Sequence, residues 1–245
     1  MRHTPSLVRA RLFVAALLCA VTLTPALAAE RAPIKTIGIV SDVGDKVHHK
    51  HIGFMVFSNK DTVHDVPDWA IDAHITAALS NGLKDRYELK PIDFPRGTIA
   101  PALDDPFDAP DPEDTMRANA KPAGGASVDA YVVAWPTLDN VYGTNQHVQG
   151  IGLLTRGGRA MLYLAVRVTL LDGRTFKEID SCGARIRDRS FWNPDESTMN
   201  KAPEFEDVES FDALTPEQKQ TMQTSLKQML TDGMNHCLRD LKLVE

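Results

Sequence analysis

An α/β (α+β) domain, with a mixed and mostly antiparallel sheet and two long helices packed on it, is what this sequence predicts, and three observations predict it. Val128-Asp129-Ala130-Tyr131-Val132-Val133-Ala134-Trp135 is almost continuously apolar, as a central strand buried on both faces must be. Leu162, Leu164, Val166, Val168 and Leu170 recur at every second position of Ala160–Leu171, which is strand period. Two further stretches, opening at Pro67 and at Pro216, carry apolar residues at helical spacing.

Element by element, residues 1–28 come first and stand apart. Arg2, Arg9 and Arg11 precede the uncharged apolar run Leu12–Leu23, and Ala26-Leu27-Ala28 gives the small-x-small pattern of a signal-peptidase site. The run is shorter than the ~20 apolar residues of a membrane span. A cleaved export signal, a mature domain over 29–245 and a soluble periplasmic location are therefore expected. The residue before Cys19 is Leu18 rather than a small one, so no lipid anchor is expected at that cysteine.

Ile34–Val40 is short and β-branched and reads as a strand before the turn residues 41–45. Ile52–Phe57 reads as a second strand closed by Ser58-Asn59-Lys60-Asp61, and the two can pair as a hairpin. From Pro67 to Arg86, with Asp65 or Val66 at the cap, Ile71, Ile75, Leu79 and Leu83 mark one helical face. Tyr87–Phe94 alternates as another strand. The Pro- and acid-rich stretch 100–127 is a loop with one short helix starting at Asp111-Pro112, where Asp caps and Pro sits at N1.

After the central strand, Val148–Leu154 extends and Thr155–Arg159 turns into Ala160–Leu171. Asp172-Gly173 is a hairpin turn into the last strand, Thr175–Ser181. Residues 183–214 read as irregular. Thr215-Pro216-Glu217-Gln218 is a capping box, and Met222, Leu226, Met229, Leu230, Met234, Cys237, Leu238 and Leu241 form one broad stripe behind it. The order is β-β-α-β, a long loop, then β-β-β-β-α.

The formal charge of −6 becomes −9 once the three Arg of 1–28 are removed. An acidic chain with no basic run excludes nucleic acid as an expected partner and disfavours anionic membrane surfaces. With Cys19 inside the leader, Cys182 and Cys237 remain; an even pair in an oxidising compartment is expected to form one disulfide.

The order of elements, together with Ser127-Val128-Asp129-Ala130-Tyr131-Val132-Val133 and Leu170-Leu171-Asp172-Gly173-Arg174, resembles a group of exported bacterial α/β domains. They are the amino-terminal domain of TolB, the periplasmic domain of the curli secretion lipoprotein CsgG, and LpoB, with their "gADYll.G"-like central strand and "D..tG" turn. The resemblance implies a scaffold for protein contacts in the cell envelope. The chain departs from it in lacking a lipid-bearing cysteine and long amphipathic hairpins, so anchoring and pore formation do not carry over.

Three groups of residues are candidates for function. Trp135, Asp139, Asn140, Tyr142, Asn145 and Gln146 put aromatic and amide groups at the end of a buried strand, where α/β folds place binding loops. Phe191 and Trp192 are loop aromatics able to anchor a partner. His48, His49 and His51, with His64, His74 and His147 elsewhere, are the densest set of imidazoles. Alternate residues of H-H-x-H point to opposite faces in extended chain, and no H-x-x-x-H pair is present. No G-x-S-x-G motif, phosphate-loop context or cofactor signature appears. The expected role is a non-catalytic protein-binding or accessory module without a cofactor, whose partner is another envelope protein. The alternative is a metal-dependent hydrolase, or a carrier of metal or small ligands, built on His48, His49 and His51.

Overall fold

A computed structural model describes residues 33–99, 111–125, 127–187, 197–206 and 208–245. Residues 1–28, expected to be a leader, and the pair Phe191 and Trp192 lie outside the described residues. The elements begin with strands β1 (Thr36–Ser41), β2 (Lys46–Ile52) and β3 (Lys60–Asp65), helix α1 (Ile71–Leu83), and strands β4 (Glu88–Lys90) and β5 (Ile92–Asp93). Helix α2 (Pro112–Asn119), β6 (Lys121–Pro122), β7 (Ala130–Pro136), β8 (Leu138–Asn140) and β9 (His147–Arg156) follow. The chain then forms β10 (Arg159–Asp172), β11 (Glu178–Gly183), β12 (Met199–Lys201) and α3 (Pro216–Asp240).

The fold class is as expected: a mixed sheet with helices against it. Its spine is β10, whose residues 159–165 pair with β9 and 166–172 with β7, both antiparallel. Short β12 lies against 161–163 and β11 against 167–171. Beyond β7 come β1 and β4, all parallel. Beyond β9 come β2, parallel to it, and β3 as an antiparallel edge.

Strand β7 is buried on both faces because each face has its own core. Val132 and Ala134 join α1 and α3 residues such as Leu79 and Leu230, whereas Tyr131 and Val133 pack with Val40, Met116 and Leu171. Both long helices therefore cover one face. The expected stripe of α3 is buried from Met222 to Leu238, and its capping box forms: Thr215 Oγ1 accepts the Gln218 N–H at 3.2 Å while Gln218 Oε1 accepts the Thr215 N–H at 3.0 Å. Helix α2 starts where expected, with the Asp111 carboxylate accepting the Glu113 N–H.

Three local expectations are corrected. Helix α1 begins at Ile71 rather than Pro67, because Ala70 adopts a left-handed φ of 47° that breaks a short 3₁₀ turn from the helix. Its first amide is capped by neither Asp65 nor Val66; Asp45 Oδ1 accepts the Ile71 N–H at 2.5 Å. Gly82, a weak residue in the last turn by propensity, is required by packing, since a Cβ there would lie 2.4 Å from Leu238 Cδ1 of α3.

The third correction concerns the second strand. The histidine-bearing segment 46–52 forms β2, and Lys60–Asp65, read in part as a turn, forms β3. Ile52–Phe57 is no strand; only Ile52 belongs to β2, and Phe54 and Phe57 project from the tip of the β2–β3 hairpin. Val47 and His49 alternate inward in β2 although only one of them is apolar, so apolarity alone mislocated the strand by one segment.

Cys182 on β11 and Cys237 on α3 are bonded, with Cα atoms 5.4 Å apart and 55 positions between them. The link ties the helix layer to the sheet and shortens the accessible unfolded chain, which stabilises the fold by roughly 2–4 kcal/mol. Equilibrium urea unfolding of a Cys182→Ser/Cys237→Ser variant is expected to lose that amount without loss of secondary structure. An unchanged unfolding midpoint would mean the bridge constrains nothing.

Candidate functional site

The β9–β10 hairpin turns on Gly157 and Gly158, whose φ values of 56° and 70° suit a two-residue turn in which both central residues are left-handed. That geometry sets Arg156 opposite Arg159. Next to it, Thr144 pins the β8–β9 turn: its hydroxyl donates to Val141 O at 2.8 Å and accepts the Gln146 N–H at 3.0 Å. The Arg156 guanidinium donates to Tyr142 O at 3.1 Å and joins the two turns. On the other side, β12 aligns Lys201 with Met161 and Met199 with Tyr163.

These elements enclose a cleft of about 770 Å³ whose lining includes Tyr142, Arg156, Arg159, Met161, Met199 and Lys201, together with one acid, Glu206. Its floor belongs to a small core in which Met199 packs with Ile52, Leu154 and Tyr163. Tyr142 is 61% exposed at the rim. Methionine side chains adapt to varied apolar surfaces, and two guanidiniums and an ammonium supply donors for carboxylates.

The expected binding residues divide. Tyr142 belongs to the cleft. Asp139 and Asn140 pair with Val148 and His147 in the β8–β9 ladder, and the Asn145 and Gln146 amides bond each other at 3.2 Å. Trp135 is half-buried, donates from Nε1 to Thr169 Oγ1 at 3.0 Å and lies under the Arg167 guanidinium; its contacts are structural. Arg156, Arg159, Met161, Met199 and Lys201 were not singled out in sequence. The only signal was the pair of arginines flanking Gly157-Gly158.

The histidines are split by the strand they share. His49 and His51 lie on one face, linked through Thr155 Oγ1 at 3.5 and 2.9 Å, while the His48 ring lies on the other face near Gly150. His64, on β3, stacks on Phe211 at 4.5 Å, and His74 meets Lys227 O and Thr231 of α3. Among the described residues, no three His, Cys, Asp or Glu side chains converge as a metal would require.

Carboxylates at the end of β1, where open α/β sheets often bind ligands, are spent on backbone. Asp42 accepts from the Gly97 and Ile99 amides. Asp72 accepts from the Ser41 hydroxyl and the Val43 and Gly44 amides, with burial still pushing its carboxyl up from the usual range.

No family model matches the chain, and no curated protein matches it.

Burial holds the imidazoles of His48 and His49 below their ordinary value of 6.5, with like charges from His51 and His64 adding to the effect at His49. The folded state thus binds these protons more weakly than the unfolded state. Stability is full above about pH 6.5 and falls as pH drops toward the lowered folded values. Urea unfolding is expected to show the wild type less stable at pH 5.5 than at pH 7.5, and a smaller difference in a His48→Gln/His49→Gln variant. Equal losses in both proteins would contradict this assignment.

Proposed function

We propose that this chain is an exported, non-catalytic accessory module of the cell envelope that grips an acidic segment of another envelope protein in the Tyr142–Arg156–Lys201 cleft. One observation carries the reading: in a chain of formal charge −6, three exposed cations are gathered around a methionine floor and a rim tyrosine. Such a site offers charge-assisted hydrogen bonds to carboxylates and apolar contact to the residues between them. The apolar leader and the Cys182–Cys237 bond support export to an oxidising compartment, and the likeness in element order to envelope scaffold domains fits the same role. Among the described residues no helix is long and apolar enough to cross a membrane.

Photo-crosslinking in intact cells, with a photoreactive residue in place of Tyr142, is expected to yield a discrete adduct with one envelope protein. Arg159→Glu/Lys201→Glu should reduce that adduct at least about tenfold, since each desolvated charge pair contributes on the order of 1 kcal/mol or more. The amino-terminal sequence of the purified protein should begin near Ala29. An adduct unaffected by the charge reversals would overturn the cleft as the binding site, and an uncut leader would overturn export.

A further inference from the structure

Five large apolar side chains are markedly exposed among the described residues: Phe54, Met55, Phe57, Val63 and Tyr142. Three of them fall within four positions at one tip, the β2–β3 connection, where Phe54 and Phe57 are 105% and 97% exposed. The tip is an ordered turn. Ser58 N–H donates to Met55 O at 2.9 Å, and Gly53 N–H donates to Asn59 Oδ1 at 3.1 Å across its base. The phenyl rings project from this closed loop.

The flanks of this tip are cationic. Ile52, the residue before it, is in register with Arg156, and Lys60 follows it at the start of β3. Both cations are exposed. Asp61, the nearest acid in sequence, is paired with Lys50 at 3.0 Å.

We propose that this tip docks on the surface of an anionic lipid bilayer, with Phe54, Met55 and Phe57 entering the interfacial zone and Arg156 and Lys60 lying among the headgroups. Shape and charge argue for that occupant together. The apolar groups are convex and fully projecting, so a protein partner would need a matching pocket, whereas a fluid bilayer opens around any protrusion. Cations beside an interfacial apolar anchor gain from the negative surface potential of anionic leaflets. The chain as a whole is negative, so an anionic bilayer favours approach by a locally cationic end such as this one. Net charge alone disfavours an anionic surface, and the local arrangement reverses that expectation. The proposal shares Arg156 with the cleft, but its test rests on Phe54, Phe57 and Lys60, which the cleft does not include, and no protein partner takes part in it.

The test is co-sedimentation of the purified full-length mature protein with vesicles of phosphatidylcholine alone or with 30 mol% phosphatidylglycerol (~30%, chosen to give a strong surface potential). Binding is expected to the anionic vesicles only, and to weaken in high salt. Phe54→Ser/Phe57→Ser should lower the partition coefficient at least about tenfold, from the lost apolar burial, with an unchanged melting profile because both rings are exposed. Lys60→Glu should weaken binding as added salt does. Absence of binding to anionic vesicles, equal binding to neutral ones, or binding indifferent to the serine substitutions would each overturn the proposal. So would a lipid-free dimer that the serine substitutions dissociate, which would assign the tip to a second copy of the chain.

Discussion

Everything else in this fold depends on one strand changing neighbours halfway along. β10 runs for 14 residues, about 46 Å at the usual strand rise, and no single partner follows it throughout. Up to Ala165 it is paired with β9; from Val166 it is paired with β7. The exchange is made where the backbone allows it. Gly150, opposite Ala165, takes a left-handed φ of 61° that bends β9 away, and Pro136, opposite Val166, ends β7 with a residue that has no amide proton to donate. Thr137 closes the junction by donating its N–H to Ala165 O at 2.8 Å.

Two half-sheets with different tasks result. The half around β7 is covered by helices on one face and by the smaller core of Tyr131, Val133 and Met116 on the other, and the disulfide locks β11 to α3. Several of its carboxylates are committed to the fold: Asp42, Asp72 and Asp129 each hold amides of other segments. A carboxylate committed to two or three backbone donors stabilises loops and has little left for a ligand. The half around β9 carries the cleft's three cations, the methionine floor and the projecting rings.

How much of this was legible follows from what each residue answers to. The core of β7, the alternation of β10 and the stripe of α3 answer to burial, which leaves a periodic trace in sequence. β2 left no such trace because His48 and His49 are buried there as neutral rings, and an imidazole reads as polar when scanned one residue at a time. Phe54 and Phe57 mislead in the opposite direction: the apolar run Ile52–Phe57 reads as a strand, yet the two rings project from the tip and pack on no part of their own domain. The cleft was illegible for a third reason. Met199 and Lys201 stand about 40 positions from Arg159 and Met161 and meet them only through the β10–β12 register, which no local pattern encodes.

The placement of both candidate surfaces at one end follows from strand direction. β2 and β9 are parallel neighbours, so the tip that follows β2 and the hairpin that follows β9 leave the sheet on the same side, with Ile52 level with Arg156. Had β2 run antiparallel to β9, the phenylalanines would emerge beside the β8–β9 turn's base and far from the paired arginines. A parallel pair requires a long connection between its strands, and here that connection runs from β3 through α1, β4, α2 and β7, so helix α1 and the central strand lie in sequence between the two segments that meet at this end. The direct pairing of β2 with β9 is therefore what brings the projecting rings and the cations together.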